Sequence, residues 1–297
     1  MNTPTLPRSV ARFLGGAGFA LAAALAGPGL AEGESLADAQ RIVAIGGSVT
    51  EIVYALGEEG RLVARDTTSG YPEAATKLPD VGYMRALAPE GVLSVKPDAI
   101  LTLEGSGPPE TLTVLKAAGV PYVTVPERYD DKGILDKIDI IGKSLGVEAK
   151  AGELAEKVKT DLDTAMAEAS ARGRDARILF ILSMNGGRIL ASGSGTAADG
   201  ILSMAGAQNA FPDFAGYKQL NDEAVISAAP DAILMISRGE GHAAPVDDVL
   251  SHPAIAQTPA GVNKRLIRMD GLYLLGFGPR TGAAVRDLSA ALAEHGL

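Results

Sequence analysis

The chain has 297 residues, 36 acidic against 27 basic, a formal net charge of −9, no cysteine, no tryptophan and only 4% aromatic residues. A balance this acidic argues against nucleic acid or anionic lipid as a partner, and without cysteine there is no disulfide, no zinc–thiolate site and no thiol chemistry. The length permits one large domain or two of about 120 residues each, with enough apolar surface to fold without disulfides.

Arg8 and Arg12 precede an apolar run, Phe13 to Ala26, and then Gly29-Leu30-Ala31, a small-x-small pattern. Residues 1–31 therefore read as a secretory signal peptide, too short and too rich in Gly and Ala for a membrane span. The mature protein is expected to be exported, and the lack of any Cys argues against a lipid anchor.

Next comes an alternation of strands and helices. Arg41–Ile45 reads as a strand leading through Gly46-Gly47-Ser48 into a helix over Val49–Leu56, stopped by Gly57. Leu62–Ala64 and Val81–Tyr83 read as short strands, Ala99–Leu103 and Tyr122–Val125 as further ones. Pro109–Ala118 and Asp131–Leu145 have helical spacing and end at Gly119 and Gly146. Val147–Ala171 breaks this rhythm: Leu154, Val158, Leu162 and Met166 recur at i, i+4 in one long amphipathic helix ended by Gly173. The alternation restarts with Ile178–Leu182, a turn at Asn185-Gly186-Gly187, Ile189–Ala191, and a Gly-Ser loop through Thr196 into a helix ending at Met204. It closes with Ala232–Ile236, a short helix near Val246–Leu250, Leu266–Met269 and a helix from Thr281.

One stretch occurs twice. Leu87–Leu101 (LAPEGVLSVKPDAIL) and Leu220–Leu234 (LNDEAVISAAPDAIL) share nine of fifteen positions, and each copy follows a Gly-Tyr pair, Gly82-Tyr83 and Gly216-Tyr217. Each reads as an acidic-headed helix, a Pro-Asp stop and a buried strand. The expected fold is α/β: two similar lobes with mainly parallel sheets, residues 32–146 and 174–297, joined by one connecting helix over 147–173.

Tyr83 and Arg85 carry the most specific chemistry. In an extended segment, residues i and i+2 point to one side, which would put a phenol and a guanidinium on one surface. A tyrosinate oxygen is a hard anionic ligand suited to ferric iron and is one of the axial ligands of haem. Free phenol has a pKa near 10, so a metal and a neighbouring cation must favour ionisation. From composition alone the plainer reading is the stronger: a tyrosine on a strand edge usually packs, and an arginine two residues on is usually solvated.

Ser48–Gly57 (SVTEIVYALG), Tyr71-Pro72 and LPDVGYMRALAPEGVLSVKPD resemble the periplasmic haem-binding proteins of bacterial haem ABC importers. These are helical-backbone, class III substrate-binding proteins, a class that also serves cobalamin and siderophores. Gly193–Asp199 (GSGTAAD), Gly216-Tyr217-Lys218, His252-Pro253-Ala254 and Gly278-Pro279-Arg280-Thr281 extend the likeness through most of the mature chain. The resemblance implies two α/β lobes joined by a long helix, with Tyr83 of the GYxR motif ligating ferric haem (ferric protoporphyrin IX) and Arg85 hydrogen-bonding that tyrosine. It also implies a second supporting arginine on the opposite lobe, for which Arg238 is the best match. Some members hold two haems through a histidine after the first strand of the C-terminal lobe. Here that loop, Leu182–Gly187, has no histidine, so one haem is expected.

Glu90 and Glu223 occupy the same place in the two repeats. An acid in a first turn is favoured by the helix dipole, and in the wider class one exposed glutamate per lobe pairs with arginines of the permease dimer. Ser48, Thr196 and Arg280 precede helices and are candidate propionate or cleft contacts. Of three histidines, His252 reads as a helix cap, His295 lies at the C-terminus, and His242 is the next candidate ligand. The implied function is a periplasmic, monomeric, non-enzymatic receptor that delivers haem to an inner-membrane ABC permease, supplied by an outer-membrane haem receptor system. The alternatives are the same fold carrying a ferric siderophore or cobalamin, and a periplasmic haem- or iron-handling enzyme.

Overall fold

The computed structural model describes residues 35–172, 175–237 and 245–297. The expected signal peptide, Gly173 at the end of the long helix, Arg238 and His242 lie outside the described residues.

In the N-terminal lobe β1 (Ile42–Ile45), α1 (Gly47–Ala55), β2 (Leu62–Arg65), α2 (Pro89–Ser94), β3 (Ala99–Leu103), α3 (Pro109–Ala117), β4 (Tyr122–Val125) and α4 (Asp131–Leu145) follow in order. The strands form one sheet, β2-β1-β3-β4, parallel throughout. Every residue of β1 and β3 is buried, as expected of apolar strands covered by helices on both faces. Val81–Tyr83, read from sequence as a strand, is not one; an isolated bridge between Asp80 and Arg65 precedes it.

The long helix is α5 (Glu148–Ala171). The C-terminal lobe then comprises β5 (Arg177–Asn185), β6 (Arg188–Ser192), α6 (Ala197–Met204), β7 (Gln208–Asn209), β8 (Tyr217–Leu220), α7 (Asp222–Ala228), β9 (Ala232–Ser237), α8 (Val246–Leu250), α9 (Pro259–Val262), β10 (Leu266–Asp270), α10 (Gly271–Leu275) and α11 (Thr281–Glu294). The sheet runs β10-β9-β5-β6-β8, with β7 also on β5. Its β10, β9, β5 and β7 are parallel, whereas β6 and β8 are antiparallel additions. Gly186 and Gly187 both have positive φ, 57° and 76°, the requirement of a tight hairpin turn that sends β6 back along β5. Exposure of Tyr217, Lys218 and Gln219 leaves β8 without an apolar pattern, so periodicity does not reveal it.

α5 packs on α4 from one lobe and α11 from the other. Its inward stripe is Ala151, Val158, Leu162, Ala165 and Ala169. Glycine allows close approach on both sides: a methyl at Gly142 of α4 would collide with Ala151, and one at Gly282 of α11 with Asp161. Arg286 of α11 also reaches Asp161 at 2.7 Å. One apolar cluster runs continuously from β1 and β3 through α5 to β5, β9 and α11. No helix among the described residues is long and apolar enough to cross a membrane.

The sequence repeat has a shared structural meaning. Each repeat strand pairs in parallel with the first strand of its lobe in the same register, Ala99 opposite Ile42 and Ala232 opposite Ile178. The aspartate before each strand holds the chain entering that first strand. Asp98 accepts from the Arg41 N–H at 2.8 Å, and Asp231 from the Arg177 N–H at 2.9 Å. Lys96 and Ala229, two residues before those aspartates, are both left-handed, φ 50° and 43°. Asp98→Ala and Asp231→Ala are each expected to cost about 1 kcal/mol, measured by urea unfolding.

Candidate functional site

The segment carrying Tyr83 and Arg85 is a turn rather than a strand, because the Ala86 N–H donates to the Tyr83 carbonyl at 2.8 Å. Gly82 enters it at φ 104°, with its N–H on Asp80 at 2.8 Å and its carbonyl accepting from Thr67 at 3.0 Å. Met84 is buried, and its carbonyl accepts from Gly107; Leu87 in turn donates to Gly107. The turn is thus pinned to the loop after β3, with Tyr83, 46% exposed, and exposed Arg85 on either side of a buried anchor. Strand alternation is the wrong geometry for this segment, and the two side chains make no hydrogen bond to each other.

The charge of Arg85 reaches groups on both lobes. It acts on Glu127 and Tyr129, just past β4, and on Tyr217 of β8. Although Tyr217 is 37% exposed, desolvation by the surrounding protein pushes its phenol up, opposed by a hydrogen bond with Thr196 and by Arg85. Burial likewise raises Tyr129, reinforced by the carboxylate of Glu127 and partly offset by Arg85. Tyr217 follows left-handed Gly216 as Tyr83 follows left-handed Gly82. The duplicated Gly-Tyr pair was its sequence signal, although sequence reasoning did not assign Tyr217 to the site.

The lobes meet beside this cluster. Tyr129 packs edge-on against buried Phe277, centroids 5.2 Å apart, and a side chain at Gly200 of α6 would strike the Tyr129 backbone. A second junction is ionic. Glu51 of α1 accepts from the Arg280 backbone N–H at 3.1 Å and from its Nε and Nη2 at 3.1 and 3.0 Å. The Arg280 guanidinium lies 3.5 Å above the ring centroid of Tyr71. Arg280 therefore ties one lobe to the other through its backbone N–H and two guanidinium donors.

Ser48 is buried at the start of α1, and its Oγ has no partner. Beside it, buried Asp66 accepts from the N–H groups of Gly46 and Thr68 and from the hydroxyls of Thr68 and Ser69. A carboxylate of the protein's own thus stands at this helix N-terminus, where the dipole favours negative charge. Thr196 is buried and caps α6, accepting from the Asp199 N–H at 3.1 Å. Glu90 and Glu223 are exposed in the first turns of α2 and α7. His252 is buried, with Nε2 2.8 Å from the Gly187 carbonyl and Nδ1 accepting from the Ala254 N–H; His295 follows α11 as its C-cap. Among the described residues no group of three or more His, Asp or Glu is placed to hold a metal ion.

The chain is similar in sequence and fold to known binding proteins. A family model described as periplasmic binding protein matches residues 42–272. The periplasmic heme-binding protein BhuT, solved with two hemes, is 38% identical, with a TM-score of 0.82 over 86% of this chain and 98% of that one. RhuT, a periplasmic heme-binding protein from Roseiflexus sp. RS-1 solved in apo form, is 36% identical, with a TM-score of 0.82 over 87% and 100% of the two chains. The ABC transporter substrate-binding lipoprotein YvrC of Bacillus subtilis is 30% identical, covering 85% of this chain and 80% of YvrC. The vitamin B12-binding protein of Yersinia pestis is 29% identical over 66% of this chain and 69% of its own length.

Proposed function

The chain belongs to the periplasmic binding protein family, and from that premise we propose that it captures one ferric haem between its lobes and delivers it to an ABC importer. The observation that carries this reading is Tyr83 with Arg85 on an exposed, pinned turn, in a chain 36–38% identical to heme-binding proteins of the same fold. Tyr83 supplies the anionic oxygen to iron, and Arg85 supports its ionised form. Arg238 is the second supporting cation. The site binds its cargo without transforming it.

BhuT is solved with two hemes. The turn between β5 and β6 in this chain has no histidine, which supports a single haem. Residues 1–31 direct export. Cobalamin is the second reading, motivated by the 29% identity to a vitamin B12-binding protein. Titrating the purified protein with hemin and with cobalamin tests the two: a saturable high-spin ferric spectrum at one hemin per chain is expected. Tight cobalamin binding without a hemin spectrum would overturn the haem reading.

Glu90 and Glu223 dock the two lobes onto the permease dimer. Their matched positions in the repeat, both exposed and both on short helices, suit a two-fold partner. Reversing both to Lys is expected to leave hemin affinity unchanged and to cut hemin delivery at least tenfold in vesicles holding the cognate permease, since like charges then face each other. Normal delivery by the double variant reduces them to helix-terminal acids.

A further inference from the structure

The Gly-Tyr pair that precedes each copy of the repeat is duplicated in structure as well as in sequence. Gly82 and Gly216 are both left-handed, φ 104° and 75°, and the tyrosine after each is exposed, Tyr83 at 46% and Tyr217 at 37%. Among the described residues only Tyr71 joins them as an exposed large aromatic, and the Arg280 guanidinium already covers one face of its ring. A single exposed apolar side chain needs no explanation. Exposure at the same place in both repeats, one on each lobe, does.

Backbone contacts fix Tyr217 and carry it to the same end of the lobe junction as Tyr83. The Gly216 N–H donates to the Ser194 carbonyl at 3.0 Å, the Gly216 carbonyl accepts from the Gly193 N–H at 2.7 Å, and Tyr217 pairs with Ser192 between β8 and β6. This Gly-Ser loop leads into α6, where a methyl at Gly200, in the first turn, would lie 2.3 Å from the Tyr129 carbonyl oxygen of the other lobe. Tyr129 stands just past Glu127, whose backbone N–H donates to Glu104 Oε2 at 2.9 Å. The loop from Glu104 runs to Gly107, which holds the Tyr83 turn on both sides: the Gly107 N–H donates to the Met84 carbonyl and the Leu87 N–H to the Gly107 carbonyl, each at 2.9 Å. The charge of Arg85 felt at Tyr217 agrees with this path.

The two tyrosines differ in what stands beside them. Arg85 lies two residues after Tyr83, whereas Gln219, a neutral amide, lies two residues after Tyr217. The intervening cation, Lys218, projects from the opposite face of β8, with its Nζ 5.8 Å from the ring centroid of Phe214. Tyr217's own face of the strand thus carries no cation to favour a phenolate, and what it offers is its ring. We propose that Tyr217 is the contact the C-terminal lobe makes with the cargo: its ring packs on the porphyrin face opposite the one held by Tyr83 and does not ligate the iron. The proposal rests on the haem reading of the proposed function. A flat conjugated macrocycle presents the area that a tyrosine ring covers, and a ring on a backbone already fixed loses little freedom on binding. Tyr217 is then a residue that selects for the macrocycle, while Tyr83 selects for the metal in it.

The test compares hemin, titrated by absorbance, with metal-free protoporphyrin IX, titrated by its fluorescence. Tyr217→Ala is expected to weaken both roughly tenfold, by the same factor, because the lost ring contact does not involve the metal. Tyr217→Phe keeps the ring and is expected to recover most of that loss, and the ferric spectrum of both variants is expected to match the wild type. Tyr83→Phe is expected to weaken hemin far more than protoporphyrin IX, which separates the two roles. Wild-type affinity of Tyr217→Ala for both porphyrins overturns the contact while leaving the haem reading intact. A loss in Tyr217→Phe as large as in Tyr217→Ala, or a changed ferric spectrum, assigns the role to the hydroxyl and overturns it as well. Failure of the wild type to bind either porphyrin is a different result, against the cargo assignment itself, and removes the proposal with it. Should Tyr217→Ala fail to fold by circular dichroism, Tyr217→Leu, which keeps an apolar side chain without a ring, takes its place.

Discussion

Tyr83→Phe abolishes the tyrosinate spectrum of the hemin-loaded protein and lowers hemin affinity on the order of 100-fold, about 2.7 kcal/mol. Phenylalanine keeps the ring on the same pinned turn and removes only the oxygen, so neither the buried Met84 anchor nor the hydrogen bonds to Gly107 change. Residual hemin binding through the apolar faces of the porphyrin is compatible with this outcome, because the spectrum reports the ligand and the affinity reports the whole contact. Reduction to ferrous iron weakens binding of the wild type, since a hard anionic oxygen stabilises Fe(III) more than Fe(II). An unaltered ferric spectrum in Tyr83→Phe removes tyrosine ligation from Tyr83 and makes His242 the next ligand to substitute.

The second large effect is at the ionic junction between lobes. Glu51→Ala removes the carboxylate that accepts two hydrogen bonds from the Arg280 guanidinium and one from its backbone N–H, in a setting where Glu51 is 11% and Arg280 28% exposed at the side chain. Breaking a buried pair from one side costs several kcal/mol, and the partial exposure of Arg280 reduces this to about 2 kcal/mol. For a chain of this size that corresponds to a fall in Tm of roughly 4–8 °C, read by calorimetry. The wild-type lobes are also held by α5 and by Tyr129 against Phe277. Small-angle scattering is therefore expected to find nearly equal radii of gyration with and without hemin. A large compaction on binding is incompatible with this rigid junction.

Much of the architecture was legible in the residues. Tyr122–Val125 and Asp131–Leu145 begin and end where the apolar pattern and Gly146 require. The long helix begins one residue later than its pattern suggests. These signals are local: an apolar stripe has a period, and a left-handed glycine stops a helix within a turn. The repeat located two helix–strand units whose Pro-Asp stops turn out to hold equivalent strand entrances. Tyr83 and Arg85 were legible as a motif, but the strand geometry invoked to bring them together was wrong, since one hydrogen bond from Ala86 makes the segment a turn.

By itself, then, the sequence determined the elements, their duplication and the motif, because each is encoded within a few neighbouring residues. Only the tertiary structure decided which charges meet. Glu51 and Arg280 are 229 residues apart, and neither position has a local pattern that names the other. Lys137 reads as one polar residue on an amphipathic helix until α4 packs and turns it inward onto Glu127. The charge of Arg85 is felt at Tyr217 only because the second lobe folds against the first. The physical reason is range: backbone propensity acts over a turn or two of chain, whereas electrostatic interaction depends on distance through space and on burial, both of which exist only once the lobes are packed.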